Sequence, residues 1–149
     1  MFRHEHLPVV LSYRVECDAA WDTRRGSVRG RLGATPVEFT FSLANHLWRL
    51  NDRAVPGLEG CRDLDLGFTP ATNLLPIRRL ALKNGQSGDA PGAWFDVFEG
   101  TLTELPQRYV KHSDLAYGYE APTVKYAAEL DVAPTGLVRK YPGFWEEDA

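Results

Sequence analysis

The chain has 149 residues, 44% of them hydrophobic, and a net charge of −3 at pH 7. That length supports one domain with a core of its own. The acidic balance argues against nucleic acid or an anionic membrane surface as the main partner, because both require a basic face to meet phosphates.

The opening Met1-Phe2-Arg3-His4-Glu5-His6 is polar, and the first apolar run, Leu7 to Leu11, is short and broken by Pro8. Export signals and membrane spans need longer apolar stretches, so the start reads as that of a cytoplasmic protein without stable membrane insertion. Val9, Leu11, Tyr13, Val15 and Cys17 alternate with Val10, Ser12, Arg14, Glu16 and Asp18, which predicts a strand with one buried face. Ser27 to Leu32 is a weaker strand, bent by Gly26, Gly30 and Gly33. Val37, Phe39, Phe41 and Leu43 mark another strand, and Leu47 to Leu50 continues it or pairs onward across an Asn51-Asp52 turn.

Arg62 to Leu66 is a short strand, and Leu75 to Leu82 a longer one that ends at an Asn84-Gly85 hairpin signal. Gln86 to Pro91 is small and polar, an exposed loop. Trp94 to Leu105 reads as one aromatic strand. Gln107 to Lys111 and Ala116 to Glu120 flank a turn, Thr123 to Val132 alternates well, and Leu137 to Tyr141 returns as the last strand. No stretch of ten or more residues combines a helical period with caps, so the pattern is all-β: a barrel, half-barrel or sandwich. Cys17 and Cys61 lie in these strand-like patterns and read as small buried hydrophobes.

The Arg78-Arg79 pair carries the sharpest inference. In a strand, neighbours point to opposite faces, so one guanidinium looks inward and must meet a carboxylate. Asp63 and Asp65, on one face of their own strand, are the first candidates, with Glu120 and Glu129 behind. Such a network is either a structural device that holds register or a recognition site for a polar head group. Asp63 and Asp65 are too close in sequence to flank a glycosidic bond. His4 and His6 share strand spacing, but His46 and His112 stand apart, and no set of three or four converging metal ligands is visible. Trp21, Trp48, Trp94, Tyr109, Tyr117, Tyr119, Tyr126, Tyr141 and Trp145 are spread over nearly every strand and suit either a core or the lining of an amphiphile cavity.

Gly60-Cys61-Arg62-Asp63-Leu64-Asp65-Leu66, followed by Thr69-Pro70-Ala71-Thr72-Asn73-Leu74-Leu75-Pro76-Ile77-Arg78-Arg79-Leu80, resembles the signature of the putative glycolipid-binding family of bacteria, long carried as a domain of unknown function. Tyr13 to Asp18 with Trp21, Thr23 and Arg24 agrees with it, as do Gln107-Arg108-Tyr109 and Gly136 to Trp145. The resemblance implies a single curved antiparallel sheet, an open barrel or half-barrel like that of bacterial lipoprotein carriers, whose concave side holds acyl chains. It also implies strands ahead of Tyr13 that this chain has in shortened form. The edge at Val9 is therefore expected to pair with a second copy, giving a homodimer, or to be covered by the segment around Phe144 and Trp145.

The resulting expectation is a binding protein without a cofactor, taking a lipid or glycolipid. Arg78 or Arg79, Asn73 and Asp63 or Asp65 stand at its polar end and Trp21, Tyr109 and Tyr119 along its apolar part, with Arg24 a further ligand-binding candidate. Two alternatives stay open: a small enzyme acting on a sugar or acyl substrate with an Asp as base, and a self-associating module with no ligand.

Overall fold

The computed structural model describes residues 2–143 and the backbone of 145–146. The N-terminal sheet is a six-stranded meander of β1 (Phe2–His4), β2 (Leu7–Cys17), β3 (Thr23–Leu32), β4 (Thr35–Ala44), β5 (Leu47–Leu50) and β6 (Arg53–Val55), paired in that order. Its tightest hairpins turn on Glu5-His6, Asn45-His46 and Asn51-Asp52. Both residues of each pair are left-handed, which matches the right-handed twist of the strands they join. Asn51 eases its own turn by accepting the Thr40 N–H at 3.0 Å.

A second, three-stranded sheet follows, in the order β10, β9, β7. In it β7 (Asp63–Leu66) runs parallel to β9 (Gly92–Asp96), and β10 (Thr101–Leu105) antiparallel to β9. The third sheet contains β8 (Ser87–Asp89), β11 (Arg108–Ser113), β12 (Ala116–Ala121), β13 (Tyr126–Val132), β14 (Val138–Tyr141) and β15 (Trp145–Glu146), ordered β15-β14-β13-β12-β11-β8.

The molecule is mostly β, as expected, but its strands form three sheets instead of one, and neither six-stranded sheet closes on itself. The predicted strand from Trp94 to Leu105 is two strands, folded back at Val97 to Gly100. The expected loop from Gln86 contains β8, which pairs with β11. The edge at Val9 is met by β1 through Phe2, and Val9 itself is fully buried. Phe144 lies outside the described residues, and the backbone of 145–146 pairs with β14 in the other sheet.

The largest departure is at Leu75 to Leu82, expected as a strand. Leu74–Leu80 is a two-turn helix, α1, entered through a 3₁₀ turn at Pro70–Asn73. Thr69 starts this segment by accepting the Ala71 N–H at 3.2 Å, and Pro70 supplies a φ suited to a first turn. Left-handed Ala81 ends it. Seven residues are too few for a helical period to stand out against a period of two, so the Leu/Arg alternation misleads.

Two hydrophobic cores meet along β7. Leu64 and Leu66 on one face pack with Val28, Phe41, Trp48 and Phe95 beneath the N-terminal sheet. The Trp48 indole N–H donates to the Cys61 carbonyl at 2.9 Å, and Thr23 Oγ1 accepts the Leu64 N–H at 3.1 Å, so the strand is locked in depth and register. The second core contains Ile77 of α1 with Tyr109, Tyr117, Tyr119, Leu130 and Val138 of the third sheet. Between them lie Asp63 and Asp65, the polar face of β7. Leu64 has no exposure, so Leu64→Ala is expected to cost about 2–5 kcal/mol in urea unfolding, through a cavity its neighbours cannot fill.

Candidate functional site

The polar face of β7 puts two carboxylates side by side in different surroundings. Arg79 of α1 grips Asp63 with two parallel bonds, Nε to Oδ1 at 3.0 Å and Nη2 to Oδ2 at 2.7 Å. The side chains are 9% and 3% exposed, so this is a buried, fork-on-fork ion pair. Burial pushes the Asp63 carboxyl upward, while the hydrogen bonds and charge of Arg79 pull it back. The pair therefore bears a desolvation cost that only complete bonding offsets.

Asp65, two residues on, has no cation partner among the described residues. A directed chain of hydrogen bonds ends on it: Asn73 donates to the Tyr109 hydroxyl at 2.7 Å, Tyr109 to Gln107 Oε1 at 3.4 Å, and Gln107 Nε2 to Asp65 Oδ2 at 2.8 Å. Gly92 makes room for the last bond, since a Cβ there would sit 2.6 Å from Gln107 Nε2. Burial raises the Asp65 carboxyl to about 6; the Gln107 bond lowers it and the charge of Asp63 adds to the rise.

Asp65 and Asn73 stand at one side of a cavity of about 370 Å³. Trp94 of β9, Tyr119 of β12, Tyr126 of β13 and Tyr141 of β14 form its aromatic walls, and Phe68 and Pro70 complete them from the loop after β7. The tyrosines brace one another, with ring centroids 5.5 Å apart for Tyr119 and Tyr141, 5.9 Å for Tyr119 and Tyr126, and 5.3 Å for Tyr126 and Tyr141. Tyr109 packs edge-on to Tyr119 at 5.2 Å, behind the wall. Burial pushes all four phenols up. Val124, 62% exposed, marks the rim. The volume is at the lower end of the ~300–1,000 Å³ typical of small-molecule sites.

Of the residues expected at a site, Asp65, Asn73 and Tyr119 converge on this cavity, and Asp63, Arg79 and Tyr109 lie directly behind it. Three others lie elsewhere. Exposed Arg78 places its guanidinium over the Trp21 ring, 5.6 Å from the centroid, and Trp21 lines a separate hollow beside β2. Arg24 is bonded to Asp18 at 3.0 Å on the surface. Glu120 is exposed and takes no part in the arginine pair.

Trp94, Tyr126 and Tyr141 are cavity residues that the pattern places only among the aromatics, and Gln107 was missed as a partner of Asp65. Gln107-Arg108-Tyr109 stands in the family-like motif, which is the one signal that points to Gln107. Cys61 is inert, its thiol pushed to about 12 by burial and by nearby Glu104 and Asp63.

The model of a family described as putative glycolipid-binding matches residues 1–147. The crystal structure of a DUF1089 family protein from Pseudomonas aeruginosa, at 1.80 Å resolution, is similar with a TM-score of 0.87 and 28% sequence identity, over 98% of this chain and 81% of that one. No curated protein matches at a significant level. No helix among the described residues is long and apolar enough to cross a membrane.

Arg79→Met should strand the Asp63 charge and cost about 3–5 kcal/mol in urea unfolding, whereas Arg78→Met on the exposed side of the helix should cost less than about 1 kcal/mol. The pH dependence of Asp65 has the opposite sign from that of a paired carboxylate. Its folded pKa of about 6 exceeds the unfolded 3.8, so the native state holds the extra proton between those values and stability falls as pH rises from about 4 to 6. Asp65→Asn, which can still accept from Gln107, should flatten that limb and raise stability at pH 7 by up to about 3 kcal/mol in thermal or urea melts.

Proposed function

Because the chain belongs to the putative glycolipid-binding family, whose model spans residues 1–147, we propose that it binds an amphiphile without chemical conversion, in the cavity between β7 and the third sheet. The observation that carries this reading is the pairing of an aromatic enclosure with a polar side whose carboxylate, Asp65, is met by one neutral donor and no cation among the described residues. Trp94, Tyr119, Tyr126 and Tyr141 offer flat apolar faces of the kind that pack against sugar rings and methylene chains. Asp65 and Asn73 offer an acceptor and an amide beside them.

The carboxylate of Asp65 makes the protein less stable at neutral pH than a neutral side chain would, and positions held at such a cost concentrate at functional sites. Asp63 and Arg79 act as the frame that holds β7 against α1, and Trp21, Arg24 and Arg78 have no part in this pocket. Two free thiols, Cys17 and Cys61, accord with a reducing, cytoplasmic setting.

A second reading is favoured by the raised Asp65 carboxyl, which is poised as a general base acting on a sugar or acyl substrate. Among the described residues, the cavity lining contains no second acid to share that work.

Displacement of a fluorescent acyl probe by dodecyl maltoside tests the binding reading. Wild type is expected to bind, and Ala121→Leu, which fills the cavity from β12, should weaken binding by about tenfold or more. Val124→Trp at the exposed rim provides a second blockade that does not overpack the core. No displacement from wild type, or undiminished binding by both folded variants, would remove the reading.

A further inference from the structure

We infer that this cavity selects a head group bearing an ammonium, either a protonated amine or a quaternary nitrogen, and rejects anionic heads. The inference rests on the cavity being the ligand site proposed above. Its first support is charge: among the described residues, Asp65 is the sole ionisable acid or base of the lining apart from phenols, and none of the described lining residues is Lys, Arg or His. The guanidinium of Arg79, behind the wall, already spends both arms of its fork on Asp63. Asp65 is left with a single hydrogen bond, from the neutral amide of Gln107 at 2.8 Å. An anionic head entering here would meet an unscreened carboxylate and no compensating cation.

The second support is the wall itself. Indole and phenol faces attract cations through their quadrupoles, and the attraction grows when water is excluded. Trp94, Tyr119, Tyr126 and Tyr141 line the same space as Asp65, and Tyr119 lies within 6 Å of both other cavity tyrosines. A carboxylate beside several aromatic faces is complementary to a weakly hydrated cation. A neutral sugar would find an acceptor in Asp65 but would leave its charge uncompensated.

The groups facing Asp65 are Asp63 on β7, Tyr109 on β11, Tyr119 on β12 and Tyr141 on β14. Burial keeps the three phenols neutral, and Asp63 is held by Arg79. Asp65, raised to about 6, changes charge between pH 5 and 7. An ammonium ligand should bind the ionised form, displace its proton, and gain affinity as pH rises.

The experiment compares three probes of equal chain length below their micellar concentrations: dodecyltrimethylammonium, dodecyl maltoside and dodecyl sulfate, titrated calorimetrically against the full chain at pH 5, 6 and 7. The ammonium probe should bind about tenfold or more tighter than the maltoside at pH 7 and lose about tenfold between pH 7 and 5, as the ionised fraction falls. Dodecyl sulfate should bind weakest. Asp65→Asn should bring ammonium and maltoside to parity, and the wild-type pH series stands as evidence without that variant. Equal, pH-independent binding of ammonium and maltoside, or preference for the sulfate, would overturn the ammonium inference and leave the amphiphile reading in place. Failure of all three probes to bind would overturn both.

Discussion

The Arg79–Asp63 pair is the interaction on which the rest of this molecule depends. It joins α1 to β7 at the seam between two hydrophobic cores, with two bonds in a setting almost without solvent. A guanidinium there cannot shed its charge, so α1 can dock only where a carboxylate is ready on β7, and the fork geometry leaves little freedom of angle. Once that contact is fixed, Asn73 at the start of α1 is carried to Tyr109, and through Gln107 the polar chain runs to Asp65. The polar side of the cavity is thus tied to that ion pair through α1 and the Asn73–Tyr109–Gln107 chain.

Asp63 and Asp65 show how the same side chain on the same strand face can hold two roles. Asp63 is fully engaged and buried, whereas Asp65 has one neutral donor and borders open space. Their different partners, and not their intrinsic chemistry, separate them.

Much of this was legible in the residues, for reasons that can be named. The period of two in β2, β4 and β13 is set by one-sided burial, and it reads through directly. The prediction that one of Arg78 and Arg79 is buried against a carboxylate, from Asp63, Asp65 or Glu120, holds for Arg79 and Asp63, although the strand that motivated it is a helix. Adjacent residues on a helix also diverge, by about 100°, so the split between an inward and an outward arginine survives the change of element. The sheet partition was not legible, because the parallel pairing of β7 with β9 spans a long connection that leaves no local mark. The same holds for the cavity: Trp48 and Tyr109 are solid core while Trp94 and Tyr141 line open space, and nothing in their own neighbourhoods distinguishes them.

The central claim is that Asp65 is a carboxylate whose charge the fold does not compensate. Its most direct test is an NMR pH titration of the Asp65 side-chain carboxyl carbon in the ligand-free protein. The account predicts a midpoint near 6. A midpoint at or below about 4, the range of an ordinary or ion-paired aspartate, would contradict it.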